Sequence, residues 1–437
     1  MNLFKFTLQL KGFPIESAMR ELKTIQQKSA SDYKGYIESK KQDIVNYHLK
    51  HNTFYKALAK TDNNFIWNDL PVMTKKDLQC PLGDRLSIGY SKKNIYINKT
   101  SGSSGTPFVF AKDKFCHALN WANFIDRYNW FNLDLHHSKQ ARFYGIPLDK
   151  KGYYKERLKD KLSNRFRFSV FDLSDHQFEK NLKIFQSTQF DYINGYTSAI
   201  VQFAKFLQKK NIILKNACPS LNACIVTSEM LFESDKTLLE SQFGLPIINE
   251  YGAAELGLIA FQNHNDDWVV NHEDLYIEIL DDDDNILPYG HIGRIVITAL
   301  YNKAHPFIRY DLGDLGALSE RSTPGNLLLK SLHGRTSDLV KLPSGKTAAG
   351  LTFYYVTKTI IEDGSAVKEF VIEQLKLDTF KIIYVSDQLL AESKKEAVIK
   401  AISKYLEPHL TIIFEQTQRL DRSNRGKLKQ FTSYLKF

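Results

Sequence analysis

DHQFEKNLKIFQSTQFDYINGYTSAIVQFAKFLQKKNIILKNACPSLNACIVTSEMLFESDKTLLESQFGLPII, residues 175–248, alternates helix-like and strand-like pieces three times. Asp175–Ser187 places its apolar residues at helical spacing and runs into the strand-like Phe190-Asp191-Tyr192-Ile193. Ser198–Lys209 repeats the pattern ahead of Ala223-Cys224-Ile225-Val226, and Phe232–Phe243 repeats it ahead of Pro246-Ile247-Ile248. Strands separated by helices predict an α/β layer with a largely parallel sheet.

On the C-terminal side, Tyr276-Ile277-Glu278-Ile279 and Arg294-Ile295-Val296-Ile297 flank the acidic run Asp281–Asp284. That segment reads as a hairpin-type unit with a solvated turn, not a metal site. A boundary falls near residue 335. Beyond it, strand-like Phe370-Val371-Ile372 and Lys381–Val385, a helix at Lys394–Leu406 and strand-like Thr411–Phe414 predict a small α+β module. On the N-terminal side, residues 15–60 read as helical, Trp67-Asn68-Asp69-Leu70-Pro71 breaks the pattern, and residues 113–131 read as helical again. The expected fold class is α/β: a large multi-subdomain N-terminal domain with mostly parallel sheets (1–334) and a small α+β C-terminal domain (335–437).

A chain of 437 residues is too long for one compact core, and 43% hydrophobic content is ordinary for a globular protein. No stretch reaches the roughly 20 apolar residues of a membrane span. The start Met1-Asn2-Leu3-Phe4-Lys5-Phe6 lacks a basic-then-apolar signal layout. Four cysteines (Cys80, Cys116, Cys218 and Cys224) are scattered without C-x-x-C spacing, which argues against disulfides and a cysteine zinc site and fits a reducing cytoplasm. Net charge is +10, and residues 1–100 alone hold 17 Lys+Arg against 9 Asp+Glu. A second basic stretch runs from Lys150 to Arg167. It reads as a solvated helix face, or as a surface for a nucleotide, an anionic sugar or the inner face of a membrane. No nucleic-acid-binding motif accompanies it.

The run Thr100-Ser101-Gly102-Ser103-Ser104-Gly105-Thr106-Pro107 lies between strand-like Ile95-Tyr96-Ile97 and Phe108-Val109-Phe110. Glycines let a backbone approach a ligand closely, and hydroxyls with unpaired N–H groups donate to phosphate oxygens. The loop lacks the G-x-x-x-x-G-K-[ST] spacing and is followed by extended sequence, so it is not an ATPase P-loop.

Further landmarks follow in order: Glu250-Tyr251-Gly252-Ala253-Ala254-Glu255, Arg309-Tyr310-Asp311-Leu312-Gly313-Asp314, His333-Gly334-Arg335-Thr336-Ser337-Asp338 and Ser423-Asn424-Arg425-Gly426-Lys427. Each is weak alone. As an ordered set with the Ser/Gly loop, they resemble the adenylate-forming enzymes of the acyl-CoA ligase superfamily. Within it, the chain resembles the phenylacetate–CoA ligase-like branch, which includes proteins of capsular polysaccharide biosynthesis. The resemblance runs from about Trp67 to the C-terminus. It implies attack of a carboxylate on the α-phosphorus of ATP, giving an acyl-AMP and pyrophosphate.

The resemblance also implies roles. Thr100, Ser101, Gly102, Ser103, Ser104, Gly105 and Thr106 would hold the β- and γ-phosphates. Tyr251 would lie against the adenine, with Glu250, Gly252 and Ala253 in the same nucleotide-binding turn. Glu255 would ligate Mg²⁺, a hard cation suited to oxygen ligands. Asp314 would accept from the ribose hydroxyls, and Arg335 would contact the ribose or phosphates. Lys427, on a mobile C-terminal domain, would bridge carboxylate and α-phosphate. The hinge falls at Ser337 or Asp338. Asp311 and Asp314 also read as turn caps around Gly313, as Asp often does.

Tyr196, Thr197, Ser198, Ser228 and Glu229 occupy the region where relatives line the acyl pocket. Ser337 stands where a charged residue is usual, and Leu428-Lys429-Gln430 replaces an arginine expected after the lysine. Adenylation is thus better supported than the second half-reaction. The implied cofactors are ATP and Mg²⁺, with coenzyme A as one acceptor. The other acceptor is an amine or hydroxyl on a surface-glycan precursor. Phe261-Gln262-Asn263-His264 contains no cysteine, so no zinc is expected. The competing readings are a nucleotide-binding scaffold without turnover and a membrane-peripheral scaffold using the 150–167 face.

Overall fold

A computed structural model describes residues 8, 11–62, 64–100, 108–135, 137–145, 150–335, 339–349, 357, 361, 367–422 and 428–435. The chain divides into two compact units, Met1–Leu312 with Gly316–Ser331, and Gly313–Leu315 with Leu332–Phe437. The result is a mixed α/β architecture.

The first unit opens with α1 (Ile15–Gln26), α2 (Ala30–His51) and α3 (Thr53–Ala59), so the helical stretch read over 15–60 is three helices. The breaks have local causes. Ser29 accepts from the Asp32 N–H at 3.2 Å and caps α2, while Asn52 accepts from the Tyr55 N–H at 2.8 Å and caps α3. Helix α1 buries Ile15, Ala18, Leu22 and Ile25, one stripe at 3.6-residue period. The strands β1 (Ile95–Lys99) and β2 (Val109–Asp113) pair antiparallel, from Ile95 opposite Asp113 to Lys99 opposite Val109. Asp113 then caps α4 (Lys114–Asn129) by accepting from the Cys116 N–H at 2.9 Å.

Next come β3 (Gln140–Phe143), α5 (Lys150–Leu162), β4 (Arg165–Phe168), α6 (Asp175–Ser187), β5 (Tyr192–Tyr196), α7 (Thr197–Lys209), the short α8 (Leu214–Ala217), β6 (Ala223–Thr227), α9 (Glu233–Phe243) and β7 (Ile247–Ala253). Strands β4, β3, β5, β6 and β7 are mutually parallel neighbours, each joined to the next in sequence through a helix. The strand read at Phe190–Ile193 begins two residues later. Phe190 instead fills the core with Phe143, Phe168, Phe178, Phe185 and Phe203, all essentially inaccessible. The sheet continues through β8 (Gly257–Gln262), β9 (Trp268–Val270), β10 (Leu275–Leu280), β11 (Gly293–Ala299), β12 (Tyr310–Leu318) and β13 (Leu328–Arg335). Its eleven strands run in the order β10-β11-β12-β13-β9-β8-β7-β6-β5-β3-β4. Strands β10 and β11 form the expected antiparallel hairpin around Asp281–Asp284.

The basic stretch 150–167 is not one open cationic face. Arg165 and Arg167 turn toward Asp160, at 2.5 and 2.9 Å, and Arg167 is also 2.9 Å from Glu156.

The second unit carries β14 (Leu339–Lys341) paired with β15 (Thr347–Ala349). A four-stranded sheet follows, built from β16 (Val367–Lys376), β17 (Thr379–Ser386), β18 (Thr411–Thr417) and β19 (Phe431–Ser433) in the order β18-β17-β16-β19. Helix α10 (Glu392–Tyr405) lies in the connection between the parallel pair β17 and β18, and its Val398 and Ile402 are buried.

Candidate active site

The parallel strands of the first unit end on one edge, and their order reverses there. From β3 the chain goes outward to β4, then returns to the other side of β3 as β5. Such a reversal leaves a crevice at the carboxyl ends of the strands, the usual ligand position in open α/β sheets. The two flanking strands approach closely because β5 carries Gly195, where an added Cβ would stand 2.5 Å from the Phe143 carbonyl oxygen. A tyrosine stands at the end of each, Tyr144 just after β3 and Tyr196 as the last residue of β5, and their rings meet at 4.4 Å between centroids. The Arg142 guanidinium lies 4.1 Å from the Tyr144 ring centroid, a cation–π distance. The Nε of Arg142 is buried without a hydrogen bond among the described residues.

Glu250, in the middle of β7 and the last of its residues paired with β6, joins this group. Its Oε2 accepts from the Tyr128 hydroxyl at 2.9 Å. Burial raises the pKa of its carboxyl, while hydrogen bonds from Tyr128 and Thr227 and the charge of Arg142 pull it down. Burial likewise raises the Tyr144 phenol.

Thr197, Ser198, Ser228 and Glu229 also gather here. Ser228 adopts φ +70°, and Glu229 folds back over the start of α7. Its Oε2 accepts from the Ser198 N–H at 2.7 Å, and its carbonyl accepts from the Thr197 hydroxyl at 3.2 Å. One oxygen of Glu229 therefore satisfies a helix N-terminus, where a negative group is favoured.

Tyr251 to Glu255 form the tip of the β7–β8 hairpin, in which Ala253 faces Gly257. Gly252 permits the close pairing, since a Cβ there would stand 2.7 Å from the Gly257 carbonyl oxygen. The Tyr251 ring lies edge-on to Trp268 at 6.1 Å. Glu255 is 3% exposed, and its Oε1 accepts from the Tyr310 hydroxyl at 3.1 Å. The Lys75 ammonium stands 3.7 Å away. Three remote segments thus meet at one carboxylate.

What brings them together is a backbone clasp. The Met73 N–H donates to the Arg309 carbonyl at 2.9 Å, and the Asp311 N–H donates to the Met73 carbonyl at 2.8 Å. Arg309, fully buried, donates to the Asn68 and Leu70 carbonyls at 2.8 and 2.7 Å. Arg309 is therefore an anchor for the 67–75 segment. Asp311 pairs with Arg294 at 2.9 Å, which commits it to structure.

Beneath the hairpin runs a buried polar network. Lys112 contacts the Asn120 side-chain oxygen, and Asn120, Asn123 and Asn271 donate to Asp274 at 2.9, 3.1 and 2.7 Å. Burial, reinforced by neighbouring Glu273, raises Asp274 to about 7. Glu273, 2.6 Å from Arg127, is held down at about 2: burial is the largest influence and opposes this, and the charges of Arg127 and His272 with hydrogen bonds from Arg127 and Gln26 together outweigh it.

In the second unit, Asp314 on β12 and Arg335 at the end of β13 stand 3.5 Å apart. Thr100 closes the base of the Ser/Gly loop: its N–H donates to the Phe108 carbonyl at 2.9 Å, and its hydroxyl accepts from the Phe108 N–H at 3.1 Å. Ser101, Gly102, Ser103, Ser104, Gly105 and Thr106, the hinge positions Ser337 and Asp338, and Lys427 lie outside the described residues. No group of three or more His, Cys, Asp or Glu side chains suited to a metal occurs among the described residues. Lys75, Lys112, Tyr128, Arg142 and Tyr144 are absent from the sequence-based site. Only Arg142 and Tyr144 had a usable signal, their place at the carboxyl end of the first parallel strand.

No family model matches the chain. Protein CapK of Staphylococcus aureus is 23% identical over 318 residues, 69% of this chain and 67% of CapK. Phenylacetate-coenzyme A ligase of Aromatoleum evansii is 25% identical over 177 residues, and that of Pseudomonas putida is 25% identical over 183. Those two matches span 40% and 41% of the relatives' own lengths. Among solved structures, 2-hydroxyisobutyryl-CoA ligase in the postadenylation state superposes with TM-score 0.69 at 16% identity, over 93% of this chain and 90% of that one. The amide bond synthetase McbA from Marinactinospora thermotolerans superposes with TM-score 0.54 at 15% identity, over 77% and 69%. The chain is therefore a relative of CapK and the phenylacetate–CoA ligases, and it has the fold of the adenylate-forming ligases.

Proposed function

We propose that this chain, with that kinship and that fold, is an AMP-forming ligase that joins a carboxylate to the α-phosphate of ATP and then passes the acyl group to an acceptor. The observation that carries the reading is the meeting of Glu255, Tyr310 and Lys75, which draws two of the sequence landmarks and a remote lysine to one point. A buried carboxylate held by a phenol and an ammonium is an oriented anion, and orientation is what charge stabilisation at a phosphate requires.

In this reading the hydroxyls and N–H groups of 100–106 donate to the outer phosphates, and Tyr251 takes the adenine. Asp314 accepts from the ribose hydroxyls, with Arg335 beside it. A single carboxylate fits Mg²⁺, which keeps waters and substrate phosphates as its other ligands, so Glu255 would hold it. When bound, the ion would neutralise phosphate charge. Lys427 donates to the attacking carboxylate and the α-phosphate oxygen, and the C-terminal domain (335–437) then turns to admit the acceptor. The acyl part lies against Tyr144, Tyr196, Thr197, Ser198 and Ser228, with Arg142 and Glu250 adding polar groups that suit a substrate carrying more than a hydrocarbon.

For the acceptor, we favour an amine or hydroxyl on a surface-glycan precursor. The CapK match spans 69% of the chain, against 39% and 41% for the phenylacetate–CoA ligases. Coenzyme A is the alternative, supported by the CoA-ligase neighbours. Pyrophosphate release with a panel of carboxylates, with and without coenzyme A, tests both. Release with no carboxylate in the panel, alongside ATP binding, would leave a nucleotide-binding scaffold. Turnover that requires coenzyme A would overturn the glycan-acceptor version.

A further inference from the structure

Helix α5 is inside out. Its face toward the sheet is charged: Asp160, 2% exposed, accepts from Arg165 Nε at 2.5 Å and from Arg167 Nη2 at 2.9 Å. Arg157 donates to the Arg167 carbonyl at 3.0 Å. The opposite face carries Tyr154, Leu158 and Leu162, which are 70%, 59% and 53% exposed. An ordinary surface helix has the reverse arrangement.

Those three residues are spaced i, i+4, i+8, so they form a stripe roughly 80° wide, with Leu158 turned about 160° from Asp160. Exposed lysines border the stripe, Lys161 on one side and Lys155 on the other, while Lys159 beyond Lys155 is paired with Glu156 at 2.6 Å. The helix packs beside β4, the terminal strand of the sheet, so it lies at an end of its unit. Ion pairs anchor it from behind, and apolar side chains stand forward between cations.

We propose that this face docks on an anionic lipid bilayer, with Tyr154, Leu158 and Leu162 entering the headgroup boundary and the lysines meeting lipid phosphates. Apolar residues centred between lysines are the layout of a helix lying in a membrane interface. The charge selects the occupant: a second copy of the same face would set lysines against lysines, whereas an anionic leaflet attracts them. The inference is independent of the ligase reading, because no residue of the stripe belongs to the proposed active site.

Co-sedimentation of the full chain with phosphatidylcholine vesicles, with and without phosphatidylglycerol, tests it over a salt series. The chain is expected to pellet with the anionic vesicles, remain in solution with the neutral ones, and dissociate as salt screens the charges. The variant Tyr154→Ser/Leu158→Ser/Leu162→Ser should partition on the order of tenfold or more weakly. Replacing Lys155 and Lys161 by Gln should cost about fivefold per lysine and flatten the salt dependence. Thermal melting by circular dichroism should be unchanged in both variants, and Leu158→Ser alone serves if the triple variant loses its transition. Absence of binding to anionic vesicles at low salt, or undiminished binding by the serine variants, would overturn the proposal. So would a dimer abolished by Leu158→Ser in a chain that ignores vesicles.

Discussion

Replacing Tyr310 by Phe removes one oxygen and nothing else. Tyr310 is fully buried, its hydroxyl donates to Glu255 at 3.1 Å, and Glu255 is 3% exposed. A hydrogen bond to a buried ionised group contributes about 2 kcal/mol, or roughly 30-fold if all of it acts in the transition state. Lys75, at 3.7 Å, still attends the carboxylate, so Tyr310→Phe should slow adenylation by between about 3-fold and 30-fold. Glu255→Gln, which removes the charge, should cost on the order of 10²–10³. If Tyr310 acts only through Glu255, adding Tyr310→Phe to Glu255→Gln should change the rate by less than about twofold. ATP–pyrophosphate exchange, with a carboxylate that supports it in the native chain, reads all four members of this cycle. Unaltered exchange in Tyr310→Phe, or an equal loss from it in both backgrounds, would refute the positioning argument.

Three further outcomes are expected. Lys427→Ala should slow acyl-AMP formation by on the order of 10²–10³ while leaving use of preformed acyl-AMP far less affected; equal losses in both steps would count against a lysine specific to adenylation. Gly195→Ala sets a Cβ 2.5 Å from a main-chain oxygen, so urea unfolding should show a loss of roughly 3 kcal/mol, and a native-like midpoint would mean that β3 and β5 separate easily. Asp274 is raised from 3.8 to about 7, so its contribution to stability is full below 3.8 and is lost as pH rises through about 7. Asp274→Asn should flatten that decline in urea midpoints while lowering stability, since three amide donors converge on the carboxylate; an unchanged slope would show that Asp274 does not titrate there.

Local pattern carried much of this protein. Helix periodicity located α6, α7 and α9 to within a residue, because a buried apolar stripe imposes a 3.6-residue repeat that no surface requirement disturbs. The hairpin around Asp281–Asp284 was legible because two short β-branched runs flank a polar turn, and β16 and β17 of the C-terminal unit were legible through the alternation that one buried face imposes. The motif Tyr251–Glu255 stood out only as one member of an ordered set of landmarks, and the hairpin that Gly252 permits was not read from it.

What the order of residues could not disclose is which side chains share a charge. Glu255 meets Lys75 across 180 positions, and only the clasp of Met73 to Arg309 and Asp311 makes them neighbours. Likewise, the run 150–167 is strongly net positive on paper, with Glu156 and Asp160 as its acids, and the sequence does not say that Arg165 and Arg167 turn inward to Asp160 while leucines face outward. Periodicity is a property of one segment and is written in that segment. Electrostatic partnership depends on distances between segments, which exist only once the sheet has brought them together.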